Sequence, residues 1–299
     1  MLIDLHIHSK NSDGDDTISE LVPKIAEAGI SVFSLTDHDR TDGWVEAREL
    51  ANQHGLSFIP GVEITTKAYF PGVKPRGMHL LAYLVDPDHP VLSDYLRQNR
   101  EARDVRIRKY IDNLAVDYSG LTYELVVSGA QEGSTLGQPD IANALVKLGE
   151  FESAPEVWKS GVLGKKSKYY VGTATPNVID VIAAVRDAGG VPVVAHPMAR
   201  NEETEDEPQT QFKIEHFEEL VEAGLLGLET NHTEVTADRK VIFDAFAKKH
   251  GLITTGSSDY HGLKIKPHNP LATRTTELDQ LKRILELGSG SKPTINHSL

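Results

Sequence analysis

The sequence predicts an α/β fold built around a parallel sheet, with a helical insertion in the middle of the chain. Strand-like apolar runs alternate with segments of helical periodicity, and this alternation stops between about Asp86 and Val191. Strands that alternate with helices favour parallel pairing through right-handed crossovers, in either a barrel or a doubly wound sheet. The seven strand-like runs are Leu2 to His8, Val32 to Thr36, Phe58 to Ile64, Met78 to Val85, Pro192 to Ala195, Leu225 to Thr230 and Leu252 to Thr255.

Recognisable end signals bound two of the helices between these runs. Thr17 and Glu20 have the spacing of a capping box at the start of the first helix, and Gly29 is the signal for its end. Thr175 and Pro176 predict an N-cap followed by proline at the first helical position. The helix that begins there precedes the strand "VPVVAHP". The chain therefore predicts one helix after the first strand and another at the end of the segment that lacks strands.

Composition narrows the chemistry and the location of the protein. The chain has 299 residues, no cysteine and a formal net charge of −13. Without thiolates, any metal ion must be held by nitrogen and oxygen donors. The acidic balance disfavours indiscriminate binding to nucleic acid or to anionic membrane. No apolar run approaches the roughly 20 residues of a membrane span, and no signal peptide is visible, so we expect a cytoplasmic protein. No protein partner can be inferred.

The insertion is predicted to cover residues 86–190, to be mostly helical and to form a lid. Residues 1–85 and 191–299 would then form the sheet-containing domain, to which the last inserted helix returns. The first inserted helix, near Ser93 to Leu114, carries six basic side chains. These either form a solvated face or bind phosphate, because arginine pairs bidentately with phosphate oxygens. The acidic run from Arg200 to Gln211 predicts an exposed loop.

Potential metal ligands recur at the ends of successive strands. In the first strand Asp4, His6 and His8 share one face, because side chains two residues apart point the same way. Each donor taken alone also fits an ordinary structural role. Six of the strands carry such a donor, however, and this repetition favours a shared metal site. His79 fits less well, because it lies at the start of its strand. The nine donors are His6, His8, Asp13, His38, Glu63, His79, His196, Asp259 and His261.

Nine donors are too many for one ion, which takes at most six ligands. The sequence therefore predicts two or three divalent ions, with Glu63 as the bridging carboxylate. Imidazole and carboxylate together suit zinc, iron(II) or manganese better than magnesium or calcium. Clustered divalent ions roughly 3.5–4 Å apart are used to displace groups on phosphorus. We therefore predict hydrolysis of a phosphate ester.

The same residues carry a family resemblance. The segments "DLHIHSKNSDG", "LTDHD", "GVEI", "HLL", "AHP" and "SSDYHG" resemble, in this order, the polymerase and histidinol phosphatase (PHP) family. The resemblance implies a distorted seven-stranded (β/α) barrel and an attacking metal-bound hydroxide held by Glu63 and Asp259. It implies one ion on His6, His8, Glu63 and Asp259, a second on Glu63, His79 and His196, and a third on Asp13, His38 and His261.

The helical insertion resembles one branch of this family, the stand-alone phosphoesterases that act on nucleotides. Arg100 and Arg103 match the branch's phosphate-binding arginines, and "GKKSKYYV" resembles a segment that implies substrate binding by Lys168. The branch commonly has arginine and histidine where this chain has Gln138 and Asp140, which predicts a weaker phosphate contact there.

The hypothesis is a metal-dependent phosphatase acting on a small phosphorylated nucleotide, such as a 3′,5′-nucleoside bisphosphate. His232, past the sixth strand, is either a proton donor to the leaving oxygen, a substrate contact or an exposed loop residue. Alternatives are a 5′-to-3′ exonuclease on short RNA, a histidinol phosphatase, an amidohydrolase-like C–N hydrolase and a non-catalytic polymerase-accessory module. The polymerase-accessory alternative is the least expected, because no polymerase region accompanies the predicted barrel.

Overall fold

Strands and helices alternate along the chain in the computed structural model, which describes residues 1–130, 136–197 and 213–298. The predicted acidic loop from 200 to 211 lies outside these residues. The strands are β1 Leu2–Ile7, β2 Ile30–Leu35, β3 Ser57–Phe58, β4 Gly61–Ala68, β5 Arg76–Tyr83, β6 Val191–Val194, β7 Gly227–Asn231 and β8 Ile253–Gly256. The helices are α1 Ile18–Glu27, α2 Trp44–Gln53, α3 Pro90–Ala115, α4 Tyr123–Val127, α5 Gln138–Lys147, α6 Ala154–Lys159, α7 Val178–Asp187, α8 Phe217–Glu222, α9 Ala237–His250 and α10 Leu278–Leu287.

The described strands form two sheets, and neither is closed. One has the order β1-β2-β3 and is parallel, whereas the other has the order β4-β5-β6-β7-β8. The sheets meet through isolated parallel bridges between Ile7 and Tyr260 and between His38 and Glu63. The α/β prediction is therefore confirmed at the level of class.

One strand runs against the predicted parallel direction. β5 is antiparallel to both β4 and β6, whereas β6, β7 and β8 are parallel to one another. The reason is the short link 69–75 between β4 and β5, because parallel neighbours need a crossover of about a dozen residues or more. The start of β5 consequently lies beside the end of β4, and His79 pairs with Thr65. His79 is the fourth of the eight residues of β5, so it lies inside the strand and not at its start as predicted, and the reversal places it beside Thr65 of β4.

The predicted strand from Phe58 to Ile64 is two strands in the structure. β3 ends at Phe58 and pairs with β2, whereas β4 begins at Gly61 and pairs with β5. Pro60 lies between them, has no backbone N–H to donate, and accepts a hydrogen bond from Leu84 N at 2.8 Å. The chain thus changes sheet at Pro60, and the described strands number eight instead of the predicted seven.

The first predicted helix start is confirmed, and the second is displaced. Thr17 N donates to Glu20 Oε2 at 2.9 Å, and the Thr17 side chain accepts from Glu20 N, which completes the capping box of α1. The N-cap of α7 is Asn177 instead of Thr175, and its side chain accepts from Ile179 N. The carbonyl of Pro176 accepts from Lys67 N at 2.9 Å in β4, which keeps this residue outside the helix.

The described residues of 86–190 form five helices and contain no strand. Four of these helices, α3 to α6, contribute side chains to a separate hydrophobic cluster, called the second cluster below. The buried members of this second cluster are Ile107, Tyr110, Ile111, Leu114, Leu121, Val126, Leu136, Ile141, Ala142, Ala144, Leu145, Val157, Val162, Leu163 and Tyr169. Helix α3 also contributes Leu92 and Leu96 to a different hydrophobic cluster, called the main core below, which includes Ile7, Phe33 and Val62 of the sheets. In the part of the chain that the structure describes, no helix has the length and apolar character needed to span a bilayer.

The second cluster can be tested by truncating one of its side chains. Leu145 is fully buried in α5, so Leu145→Ala should lower the free energy of unfolding by about 2–5 kcal/mol, since it removes apolar contacts and leaves a cavity. Chemical denaturation followed by circular dichroism measures this change. Val116→Ala, at an exposed position after α3, is the control, and an equal effect of the two changes would contradict the assignment.

Candidate metal centre

Glu63, the third residue of β4, is the centre of the predicted ligand cluster. Its side chain is 1% exposed and lies within 3.3 Å of five of the six predicted histidine ligands. The distances from Oε2 are 3.1 Å to His6 Nε2 and to His8 Nε2 and 3.3 Å to His38 Nδ1, and those from Oε1 are 2.8 Å to His79 Nδ1 and 3.1 Å to His196 Nε2. The structure therefore places the predicted bridging carboxylate where it contacts donors from several strands.

Two aspartates bring the sixth histidine into the same cluster. Asp259 Oδ1 lies 3.3 Å from His261 Nδ1 and 3.5 Å from His8 Nε2. Asp13 Oδ1 lies 3.3 Å from His261 Nε2, and its Oδ2 lies 3.6 Å from His38 Nε2. All nine donors predicted from the sequence are thus brought together at one end of the two sheets.

The donor atoms of eight of the nine residues fall into three overlapping groups, and within each group they lie within 4.8 Å of one another. His196 belongs to none of these groups. The first group is the same set that the family resemblance implies for one ion. The other two resemble the remaining implied sets, with His8 added to one and His38 in place of His196 in the other. The groups are His6, His8, Glu63 and Asp259; His8, Asp13, His38 and His261; and His38, Glu63 and His79.

The chemistry of this cluster fits divalent cations. His6 Nε2, His8 Nε2 and His38 Nδ1 are buried and have no hydrogen-bond partner, although each lies within 3.3 Å of Glu63 Oε2. Buried polar nitrogens normally have a partner, and a cation shared with the carboxylate would supply one. Imidazole and carboxylate donors are those of zinc, iron(II) and manganese sites. The residues present therefore fit a multi-ion centre.

Buried carboxylates outside the predicted set hold the ligands in place. Asp37 accepts hydrogen bonds from Ser9 N and Ser12 Oγ, both at 2.7 Å, and so fixes the loop that carries Asp13. Asp4 accepts from Ser258 N at 3.0 Å beside Asp259, and burial raises the pKa of Asp4 to about 6. These carboxylates supply the outer contacts that orient metal ligands.

Glu229 is the site residue that the sequence analysis missed. It is fully buried in β7, accepts from His196 N at 2.8 Å through Oε2, and lies 3.0 Å from His6 Nδ1 through Oε1. This contact turns Nε2 of His6 towards Glu63. The available signal was an ionisable residue inside the apolar run "LLGLET", where burial without a partner would be costly.

His232 lies inside the cluster and is not an exposed loop residue. Its side chain is buried, and its Nε2 lies 3.4 Å from Asp259 Oδ2. His232 is not among the described residues that line the cavity next to this cluster. Asp259 also contacts Lys266, whose Nζ lies 2.5 Å from Oδ2. Burial raises the pKa of Asp259, but the positive charges of Lys266, His261 and His6 and a hydrogen bond from His232 together outweigh this effect, so the pKa is held well below its usual range.

A cavity of about 550 Å³ opens above the donor cluster. Glu63, His79 and Asp259 are among the candidate ligands that line it, and Arg103, Arg106, Lys264 and Lys266 bring positive charge to its wall. Arg106, which the sequence analysis did not select, donates to Val171 O at 2.8 Å. The cavity therefore joins the candidate metal centre to a basic surface.

The three predicted phosphate-binding residues, Arg100, Arg103 and Lys168, differ in whether they line the cavity. Arg103 lines the cavity and donates to Thr65 Oγ1 at 3.0 Å. Arg100 donates to the carbonyl of Asp39 at 2.6 Å and does not belong to the described cavity lining. Lys168 is 72% exposed and pairs with Asp117 at 2.7 Å, also outside that lining.

The departure at Gln138 and Asp140 has a local explanation. Asp140 Oδ2 accepts from Gly137 N at 2.7 Å and so caps α5, and the side chain is not in the described cavity lining. Gln138 lines the cavity but donates to Leu163 O at 2.8 Å. The added negative charge is thus used in capping a helix, while Arg106 and Lys266 bring positive charge to the cavity.

The role of Glu229 can be tested with Glu229→Gln. The amide cannot accept hydrogen bonds on both sides as the carboxylate does, so we expect metal affinity to fall about 10–100-fold. Titration in metal buffers with elemental analysis measures this change. The matched control is Glu222→Gln on the exposed face of α8. An unchanged affinity in a folded Glu229→Gln protein would contradict the role.

Comparisons with known proteins show which families and structures the chain resembles. A family model described as the PHP domain matches residues 4–118. A solved structure from Bifidobacterium adolescentis, assigned as a metal-dependent phosphoesterase, is 35% identical, with a TM-score of 0.85 and 96% of each chain covered. The phosphoribosyl 1,2-cyclic phosphate 1,2-diphosphodiesterase of Eggerthella lenta is 27% identical over 268 residues, 88% of this chain and 95% of that relative.

A further relative is the 3′,5′-nucleoside bisphosphate phosphatase of Chromobacterium violaceum, which is 27% identical over 260 residues, 87% of each chain. The matched family model begins at Asp4 and covers the motifs that supply His6, His8, Asp13, His38, Glu63 and His79. The full-length similarity extends to the strands that carry the remaining candidate ligands. The chain belongs to the PHP family and is a metal-dependent phosphoesterase.

Proposed function

We propose that this phosphoesterase hydrolyses a phosphate monoester of a small nucleotide, such as a 3′,5′-nucleoside bisphosphate. The proposal rests on one observation, which is that the same cavity is lined by the buried donor cluster and by basic side chains. The name of the Chromobacterium violaceum relative supports the substrate class. The reaction breaks the bond between phosphorus and the ester oxygen, adds the oxygen of water to phosphorus, and yields an alcohol and inorganic phosphate.

The proposed cofactor is a set of two or three divalent ions, of manganese, zinc or iron. The three donor groups around Glu63 and Asp13 would hold them. Bound cations would neutralise the phosphate oxygens and activate water. Glu63 is proposed to bridge two of the ions, because both of its oxygens face imidazole nitrogens.

Substrate positioning is proposed to depend on Arg103, Arg106 and Lys266. Arg103 is held by Thr65 and lies 3.4 Å from Asp39 Oδ2, so its guanidinium is ordered before a phosphate binds. Pre-ordered arginine side chains bind phosphate oxygens with charge-assisted hydrogen bonds. We propose that His232 acts by supporting Asp259, because it is buried against that residue and away from the described cavity lining.

A metal analysis combined with a phosphate-release screen tests the proposal. The purified chain should contain two or more divalent ions and release phosphate from 3′,5′-nucleoside bisphosphates. His8→Ala should lose metal and activity together, because His8 belongs to two donor groups. Release from no nucleotide by a metal-loaded protein would overturn the proposal.

The same screen separates the alternatives. Short 5′-phosphorylated RNA tests exonuclease activity, and histidinol phosphate tests histidinol phosphatase activity. A phosphoribosyl cyclic phosphate tests the activity named for the Eggerthella lenta relative. A panel of cyclic amides tests C–N hydrolysis, and a protein inert on all of these substrates would favour a non-catalytic role.

The basic wall is tested with Arg103→Ala. Loss of charge-assisted hydrogen bonds worth about 1.5–3 kcal/mol should lower kcat/KM for a nucleoside bisphosphate by roughly 10-fold to 150-fold. Arg97→Ala is the control, since Arg97 lies on the same helix but pairs with Asp94 and Glu101 at the surface. Steady-state kinetics on both variants measures the difference, and equal losses would argue against a substrate contact at Arg103.

We also propose a larger arrangement around the site. The bridges Ile7–Tyr260 and His38–Glu63 support an interpretation of the two sheets as arcs of one distorted barrel. Side chains from α3, α5 and α6 line the cavity, which supports a lid function for residues 86–190. In this arrangement the barrel would hold the ions and the helices would select the substrate.

A further inference from the structure

The wall of the cavity has an apolar part in addition to its charged part. Helix α6 contributes Ala154, Pro155 and Trp158 to it, and Pro139 and Ile107 belong to the same lining. These side chains are called the apolar wall below. They cannot neutralise a phosphate, so the proposed phosphate chemistry leaves the apolar wall unexplained.

Trp158 is the aromatic side chain of the apolar wall. Its side chain is 45% exposed, although the neighbouring Val157 is fully buried in the second cluster. Leaving a large aromatic surface in water forgoes the free energy of its burial, and aromatic rings are common in ligand sites. The indole is therefore available to a ligand that enters the cavity.

The side chains that line the cavity are buried at the donor cluster, called the floor below, and exposed at Trp158. Glu63 and Asp259 are 1% and 2% exposed, whereas Trp158 is 45% exposed. A substrate whose phosphate reaches the floor would extend any remaining part towards the mouth. A volume of about 550 Å³ falls within the range of sites that enclose a whole small molecule.

We propose that Trp158 is a specificity-determining residue that stacks on the base of a nucleotide substrate. This inference rests on the proposed function and adds the group that is recognised besides phosphate. Bases stack on aromatic side chains through their faces, which all bases share. Trp158 would therefore distinguish nucleotides from sugar phosphates without selecting strongly among bases.

The fluorescence of the protein offers a direct measurement. The chain has two tryptophans, and Trp44 is buried with its Nε1 donating to Gly61 O at 2.8 Å. A ligand that stacks in the cavity should thus change the emission of Trp158 alone. Adenosine 5′-monophosphate should quench the emission of the full chain, whereas ribose 5-phosphate and inorganic phosphate should not. The quenching should disappear in Trp158→Phe.

Calorimetry then measures the contribution to binding. Trp158→Ala should raise the Kd for adenosine 5′-monophosphate about tenfold, the loss typical of one stacked base, and leave that for ribose 5-phosphate within about twofold. Trp158→Phe keeps an aromatic face and should retain most of the affinity, which separates stacking from misfolding. Tyr69→Ala removes another exposed aromatic ring, outside the described cavity lining, and is the control.

The outcomes separate this inference from the proposed function. Equal weakening of both ligands in Trp158→Ala, or no weakening of either, would overturn the stacking role even if phosphate release is normal. Ring-dependent binding through Trp158 in a protein that releases no phosphate from nucleotides would support the stacking role and overturn the catalytic proposal.

Discussion

The burial of one carboxylate among imidazoles is the constraint on which the rest of this structure depends. Glu63 is almost fully enclosed and faces five histidines, so its charge is removed from water. Such burial is unfavourable unless the charge is paired, and buried imidazole nitrogens without a hydrogen-bond partner add to the unfavourable free energy. The surrounding elements hold this unfavourable arrangement in place, and metal binding would offset it.

Buried carboxylates on neighbouring elements hold the residues around Glu63 in position. Asp37 fixes the loop before Asp13, and Glu229 orients His6 while accepting from the backbone of His196. His196 itself has a φ of 27°, in the left-handed region that a residue with a side chain rarely adopts. Local strain at a ligand is tolerable because strands and buried carboxylates determine its position from several sides.

Much of the metal centre could be predicted because ligand type and strand position are both visible in a sequence. All nine donors were identified from their places near strand ends, and the structure brings them together. The position of His79 could not be explained beforehand, because the reversal of β5 depends on a pairing that local periodicity does not encode. Glu229 was missed since its partner, His6, is 223 residues away in sequence. The contacts of Arg100 and Lys168 likewise depend on tertiary packing.

Helix α3 has a mechanical consequence for the way the two parts of the protein act together. Its 26 residues span about 39 Å at 1.5 Å per residue. Leu92, near one end, packs in the main core, and Leu114, near the other end, packs in the second cluster. Arg103 lies near the middle of this rod and faces the cavity. A tilt of the second cluster would therefore pivot the rod about its anchored end and move Arg103 relative to Glu63. Changes in the packing of distant helices could thus retune the reach of this arginine while every ion ligand keeps its place.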